Sequence, residues 1–184
     1  MRKRTVGAGL ACASLIAVGA GWTARAMDHQ AQEREVLAAV EGLYAVISGG
    51  AGEARDWDAF RGMFLDDRAS MTFRRGQRGE DGAVTWSFGS MTPDEYVERA
   101  GPMFERQPFF ETGVANEVEM YGTLAHVWST YDAHHTEDGA GEPFMQGINS
   151  IQLVKTDGGW KVLSLAWVDT RSAGEIPERY RGGE

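Results

Sequence analysis

Three histidines and two aspartates carry the proton chemistry this 184-residue sequence offers near neutral pH. His126, His134 and His135 lie close together, with Asp132 between them and Asp169 further along. Imidazole titrates at ~6.5, so a His held by a carboxylate is the usual acid/base pair of dehydration and isomerisation. Leu124 to His135 reads as a strand, and alternation places His126, Trp128, Thr130, Asp132 and His134 on one face. Val127, Ser129, Tyr131 and His135 share the other face. His126, Asp132 and His134 are therefore the catalytic candidates, with the catalytic constellation itself unassigned. The plainer reading has His134 and His135 as solvated strand-end residues entering the acidic loop Thr136 to Pro143.

Other chemistries find less. His134, His135, Glu137, Asp138 and Glu142 carry donor atoms, but a glycine-containing loop does not fix ligands as zinc requires, so no metal site is expected. Arg74, Arg75 and Arg78 could hold an anion, yet Glu80 and Asp81 compete for the same guanidinium groups. There is no phosphate-cradling glycine loop, no nucleophile elbow and no glycosidase carboxylate pair, and no cofactor is expected. The aromatic residues say more. Trp86, Trp128, Tyr131, Trp160 and Trp167 fall in strand-like segments, and Trp57, Phe60 and Phe64 in a short helix. Large rings at such spacing mostly pack, but they also wall apolar pockets, where Ser129, Gln146, Asn149 and Ser150 would orient a ligand.

Three helices precede the strands. Val36, Leu37, Val40, Leu43, Tyr44 and Ile47 recur at helical spacing, predicting a helix over Glu33 to Ile47 that ends at Ser48-Gly49-Gly50. Asp56 caps a second helix, and Thr92-Pro93-Asp94-Glu95 opens a third, running to about Phe104, with a capping box. Ala69 to Phe73 and Ala83 to Gly89 read as strands, with Arg74 to Gly82 as a loop. Four longer strands follow: Phe110 to Met120, Leu124 to His135, Phe144 to Lys155 and Trp160 to Asp169. Strict alternation in the last puts Trp167 with Leu163 and Leu165, and Trp160 with Val162 and Ala166. Ser172 to Glu184 reads as a polar, frayed tail apart from Ile176, Pro177 and Tyr180. Helices first and an antiparallel meander afterwards indicate an α+β fold.

The first 26 residues have a different character. Arg2, Lys3 and Arg4 form a basic head, an apolar small-residue run extends from Val6 to Gly21, and Ala24-Arg25-Ala26 fits a signal peptidase. Gly19 and Gly21 are expected to present that site in extended form. Cys12 lacks a lipobox, since Gly9 stands where Leu belongs. The expectation is a signal peptide over residues 1–26 and an exported, periplasmic or extracellular, domain over 27–184 with its core at about 32–180; retention as an N-terminal membrane anchor is the alternative. Removing that segment takes four of the 18 basic residues and no acidic ones, leaving 158 residues with a net charge of −13 and no cysteine. Such a domain has no thiol chemistry, and its acidity excludes a nucleic-acid surface.

The ordered set of local sequences resembles the NTF2-like superfamily, including its SnoaL-like members, from about Gln32 to Tyr180. The matching pieces are the helix bearing Tyr44, Asp56-Trp57, Phe64-Leu65-Asp66-Asp67, Gly122-Thr123-Leu124-Ala125-His126-Val127, and Asp157-Gly158-Gly159-Trp160-Lys161-Val162. The resemblance implies N-terminal helices packed in the concave face of a strongly curved, mainly antiparallel sheet, a conical pocket, and a homodimer through the sheet's outer face. It implies no single reaction. Tyr44 matches a helix-one tyrosine of ketosteroid isomerase-like members, but Phe73 stands where their base would be, and a phenyl ring accepts no proton. The leading expectation is an exported domain that binds a small apolar or amphipathic molecule, with Tyr44, Phe64, Phe73, Trp86, Trp128, Tyr131, Asn149 and Trp167 as ligand-binding candidates. One alternative is a SnoaL-like or dehydratase-like enzyme using a His–Asp pair. Another is a dimerisation or partner-binding module whose cone is filled by its own side chains. Either face of Leu124 to His135 can line the pocket.

Overall fold

The computed structural model describes the backbone of residues 14–182 and the side chains of residues 28–182. The chain divides into two units, Met1–Arg34 and Glu35–Glu184. The basic head and the start of the apolar run lie outside the described residues. Helix α1 covers Ser14–Ile47, so the backbone at Gly19 and Gly21 is helical where the glycines predict an extended segment. Among the described residues no helix is long and apolar enough to cross a membrane.

In the second unit the elements follow as α2 (Trp57–Gly62), β1 (Ser70–Arg78), β2 (Val84–Met91), α3 (Pro93–Phe104), β3 (Phe110–Tyr121), β4 (Leu124–His134), β5 (Met145–Thr156), β6 (Gly159–Asp169) and α4 (Thr170–Ala173). The six strands form one curved, unclosed sheet in the order β2-β1-β6-β5-β4-β3, antiparallel except for β1 beside β6. Buried residues of α1 (Val36, Val40, Leu43, Tyr44, Ile47), Phe60 of α2 and Ala100 and Phe104 of α3 join one core with the sheet's inner face. That face carries Ala125, Val127, Ser129, Tyr131 and Ala133 from β4, all buried, and Ile151 and Leu153 from β5. The capping box at Thr92 and Glu95 forms as expected, and Asp56 caps α2 through Ala59.

Two segments depart from the sequence reading, and a third docks at Tyr180, which that reading set apart from the frayed tail. Arg74 to Arg78 is strand and not loop, because Val84 to Phe88 lies opposite and satisfies its backbone. Gly76 makes room there for the Trp86 ring, and the Arg74 guanidinium stands 5.2 Å from that ring. In β6 the register shifts by one residue against β5, so Trp160 and Val162 face inward together with Leu165 and Trp167, and the extra residue Leu163 is exposed. The C-terminal segment is docked: Tyr180 is buried, its ring 5.5 Å from Trp128, and its carbonyl accepts the Thr130 hydroxyl.

Arg55 closes the end of α1. Its guanidinium donates to the carbonyls of Ile47 (3.0 Å), Gly49 (2.7 Å), Gly50 (3.0 Å) and Glu53 (2.6 Å) and lies 5.1 Å from the Phe104 ring. The last carbonyls of a helix have no partner of their own, and burying them unpaired is costly. Gly49 and Phe109 then exchange two backbone hydrogen bonds, of 2.8 and 3.0 Å, which tie this corner to the start of β3. Arg55→Ala is expected to lower stability in urea unfolding by about 2–4 kcal/mol. A midpoint equal to the wild type's would show that the corner holds without its cap.

Candidate functional site

The inner face does not fill completely. A cavity of about 190 Å³ remains between α1, α2, α3 and the strands β1 and β3–β6. Leu43 and Ile47 (α1), Phe60 (α2), Met103 (α3), Met71 (β1) and Ile151 (β5) give it an apolar wall, closed by Phe109, Tyr96, Met145, Leu165 and Trp167. Its polar groups are few: Tyr44, Tyr96, Glu111, Tyr131 and Asn149. An apolar cavity with a few convergent polar atoms is the ordinary form of a small-molecule site.

A hydrogen-bonded chain crosses from helix to sheet. Tyr44 Oη lies 2.6 Å from Ser129 Oγ and accepts from Asn149 Nδ2 at 3.0 Å. Ser129 and Asn149 sit opposite each other on β4 and β5. Gly113 permits the approach of Tyr44, since a Cβ there would stand 3.0 Å from its ring. Burial, and to a lesser degree the Glu111 charge, pushes the Tyr44 phenol up to about 12 against the pull of its two hydrogen bonds. Tyr131 is 1% exposed and its hydroxyl has no partner; burial raises its ionisation further, aided by Glu111 and Asp169. Tyr96 on α3 is raised by burial and by Glu111.

Glu111 is the residue that sequence reading missed. Val118 and Met120 pack against the core, so alternation along β3 would turn even-numbered positions inward and Glu111 outward. A one-residue register shift between Gly113 and Ala115 leaves Val114 extra and inverts the parity. Glu111 thus pairs with Ala133 on the inner face. Ser48 fixes its backbone: Ser48 Oγ accepts the Glu111 N–H at 2.9 Å and lies 3.3 Å from the Glu111 carbonyl. Burial pushes the carboxyl up to about 8, opposed by a hydrogen bond from Asn149. No sequence signal marked it, since Glu117 and Glu119 share its parity along β3 and all three read as solvent-facing acids.

The structure gathers Tyr44, Tyr131, Asn149 and Trp167 at the cavity. Phe73 stacks on Trp167 at 5.3 Å, and Phe64 packs on Phe60 at 5.0 Å, each one layer behind the wall. Trp86 and Trp128 lie on the opposite face of the sheet, Trp86 with Arg74 and Trp128 with His126 and Tyr180. That face also carries His126, Asp132 and His134. His126 meets Ser150 at 3.0 Å, Asp132 accepts from Gln146 at 2.8 Å, and His134 Nδ1 is buried without a partner. Of the two faces of β4, the one with Ser129 and Tyr131 lines the cone, while His135 lies beyond the strand end, exposed and stacked on Phe144. Among the described residues no three His, Cys, Asp or Glu side chains converge on a point that could hold a metal.

No family model and no curated protein sequence matches the chain. Solved structures do. An NTF2-like protein with a cystatin-like fold from Novosphingobium aromaticivorans superimposes with a TM-score of 0.59 at 10% identity, over 88% of this chain and 96% of that one. A Mycobacterium tuberculosis protein of unknown function gives 0.58 at 15% identity, over 86% and 80%. A cystatin-like protein of unknown function from Nostoc punctiforme gives 0.55 at 11%, over 76% and 92%. The fold is therefore the NTF2-like, cystatin-like α+β cone.

The raised carboxyl has a consequence for stability. Between its ordinary value of 4.5 and about 8, the native state keeps a proton that the unfolded chain has lost. Stability attributable to Glu111 therefore falls as pH rises through that window and is level above it. Glu111→Gln removes the dependence. Its thermal midpoint, relative to wild type, is expected to be at least ~3 °C more favourable at pH 8.5 than at pH 5. Equal differences at the two pH values would place the carboxyl in solvent.

Proposed function

We propose that this cone domain binds a small apolar or amphipathic molecule in the cavity beneath α1 and α3. The observation that carries the reading is the cavity itself, mostly apolar with a few hydroxyl, amide and carboxyl groups converging from the helices and the sheet. About 190 Å³ is slightly more than the ~150 Å³ that accommodates a benzene ring, so the occupant is of single-ring size. The alternative of a filled core is disfavoured by that space, and a His–Asp acid/base pair by the position of His126, Asp132 and His134 on the far face. Benzyl alcohol titrated calorimetrically is expected to bind with Kd between about 10 µM and 1 mM. Met103→Trp, which fills the cavity from half-buried α3, should abolish binding. Absence of binding to the wild type would overturn the reading.

The same proposal includes export and self-association. Export is supported by the Arg2-Lys3-Arg4 head, the apolar run and Ala24-Arg25-Ala26, and predicts a mature N-terminus at Met27. Pairing of two copies is supported by the outer sheet face, where Phe88, Tyr121, Leu124 and Leu163 are exposed. Light scattering is expected to give twice the mass of one chain, and Leu124→Glu with Leu163→Glu to give a monomer. A wild-type monomer at ~50 µM would sink that part.

A further inference from the structure

Resting on that pocket reading, we propose that the occupant is a ring-sized molecule bearing a protonated amine, and that its ammonium group pairs with the Glu111 carboxylate. The lining of the cavity favours a cation. Among the described residues no Lys, Arg or His lines it, and Glu111 is its only carboxyl. On the cavity side the groups facing Glu111 are neutral, Tyr44 from α1, Tyr96 from α3, Tyr131 from β4 and Asn149 from β5, and on its other side it borders a groove with the acids Glu41, Glu53 and Glu137. Arg171 reaches Met145 on the cavity wall at 3.2 Å, but its guanidinium is already paired with Asp169. Glu111 is thus a half-buried carboxyl without a counter-charge at the cavity, its backbone held by Ser48.

A ligand cation supplies what is missing. Removed from water, an ion pair is far stronger than at the surface, and here no protein cation competes for the acid. The rest of the wall suits the same charge. Phe60, Tyr96, Phe109 and Trp167 line the cavity, and the negative quadrupole of an aromatic ring attracts an ammonium group. Tyr131 adds a buried hydroxyl oxygen with no partner. The apolar side chains of Leu43, Ile47 and Ile151 accommodate the hydrocarbon body. An anionic ligand would meet Glu111 with like charge. A neutral carbonyl compound would instead use the protonated acid as a donor, and the two cases differ in their proton balance.

When the amine enters already charged, Glu111 must give its proton to the solvent, so binding releases one proton and strengthens as pH rises toward the carboxyl's own titration near 8. Calorimetric titration of the intact chain with benzylamine and with benzyl alcohol, in buffers of different ionisation enthalpy, tests this. At pH 7 benzylamine is expected to bind at least about tenfold tighter than benzyl alcohol and to release close to one proton. Its affinity should rise about tenfold per pH unit from 6 to 7 and level off above 8. In Glu111→Gln the advantage of benzylamine and its proton release should both vanish, and the affinity for benzylamine should lose its dependence on pH between about 6 and 8. Benzyl alcohol binding as tightly as benzylamine, without proton release, overturns the amine assignment and leaves the pocket reading standing. No binding of either probe overturns both.

Discussion

One extra residue in an edge strand governs the chemistry of this domain. Val114 has no partner across β4, and the half-turn it adds to the pleat carries Glu111 from the solvent side to the cavity side. Without that shift the inner face would be closed by apolar side chains and hydroxyls, with no ionisable carboxyl. With it, a carboxyl stands in an apolar chamber at the point where α1 ends. The placement is costly for the native state, because a buried acid either keeps its proton or pays for its charge in lost solvation. Such a cost at a cavity is what distinguishes a binding wall from ordinary packing.

The surrounding structure holds that placement from the helix side. Arg55 gathers the last carbonyl of α1 and those of the loop that follows, Gly49 and Phe109 join the helix end to β3, and Ser48 grips the Glu111 backbone. The corner therefore fixes the first residues of β3 before the register shift intervenes. Just before that end, Tyr44, Ser129 and Asn149 tie the last turn of α1 to the centre of the sheet. The cavity lies between these two attachments, and each aligns the helix against a different strand. A second extra residue, Leu163 in β6, keeps Trp160 and Val162 in the core while Trp167 still reaches the cavity wall.

Much of this was legible in the chain. The capping box at Thr92, the Asp56 cap and the apolar stripe from Val36 to Ile47 each depend on side chains within a few residues of one another, and they formed where the residue types put them. Tyr44, Tyr131, Asn149 and Trp167, four of the eight ligand-binding candidates, line the cavity, although large rings at such spacing mostly pack. Trp86 and Trp128 had the same credentials but lie on the other face, since a period of two does not say which set turns inward. Arg74 to Arg78 looked like a loop because its charge and glycine hid a strand whose pairing partner comes after the turn.

Residue order by itself settled the class of fold, helices before an antiparallel meander, and the local starts and stops of most elements. It also settled the acidic balance, a net charge of −9 over the whole chain. The face that became the cavity, the burial of Tyr180 and the inward turn of Glu111 came only with the assembled sheet. The physical reason is parity. A strand's side chains alternate strictly until a single unpaired residue intervenes, and whether one intervenes depends on how the neighbouring strand and the end of a helix are fastened to it.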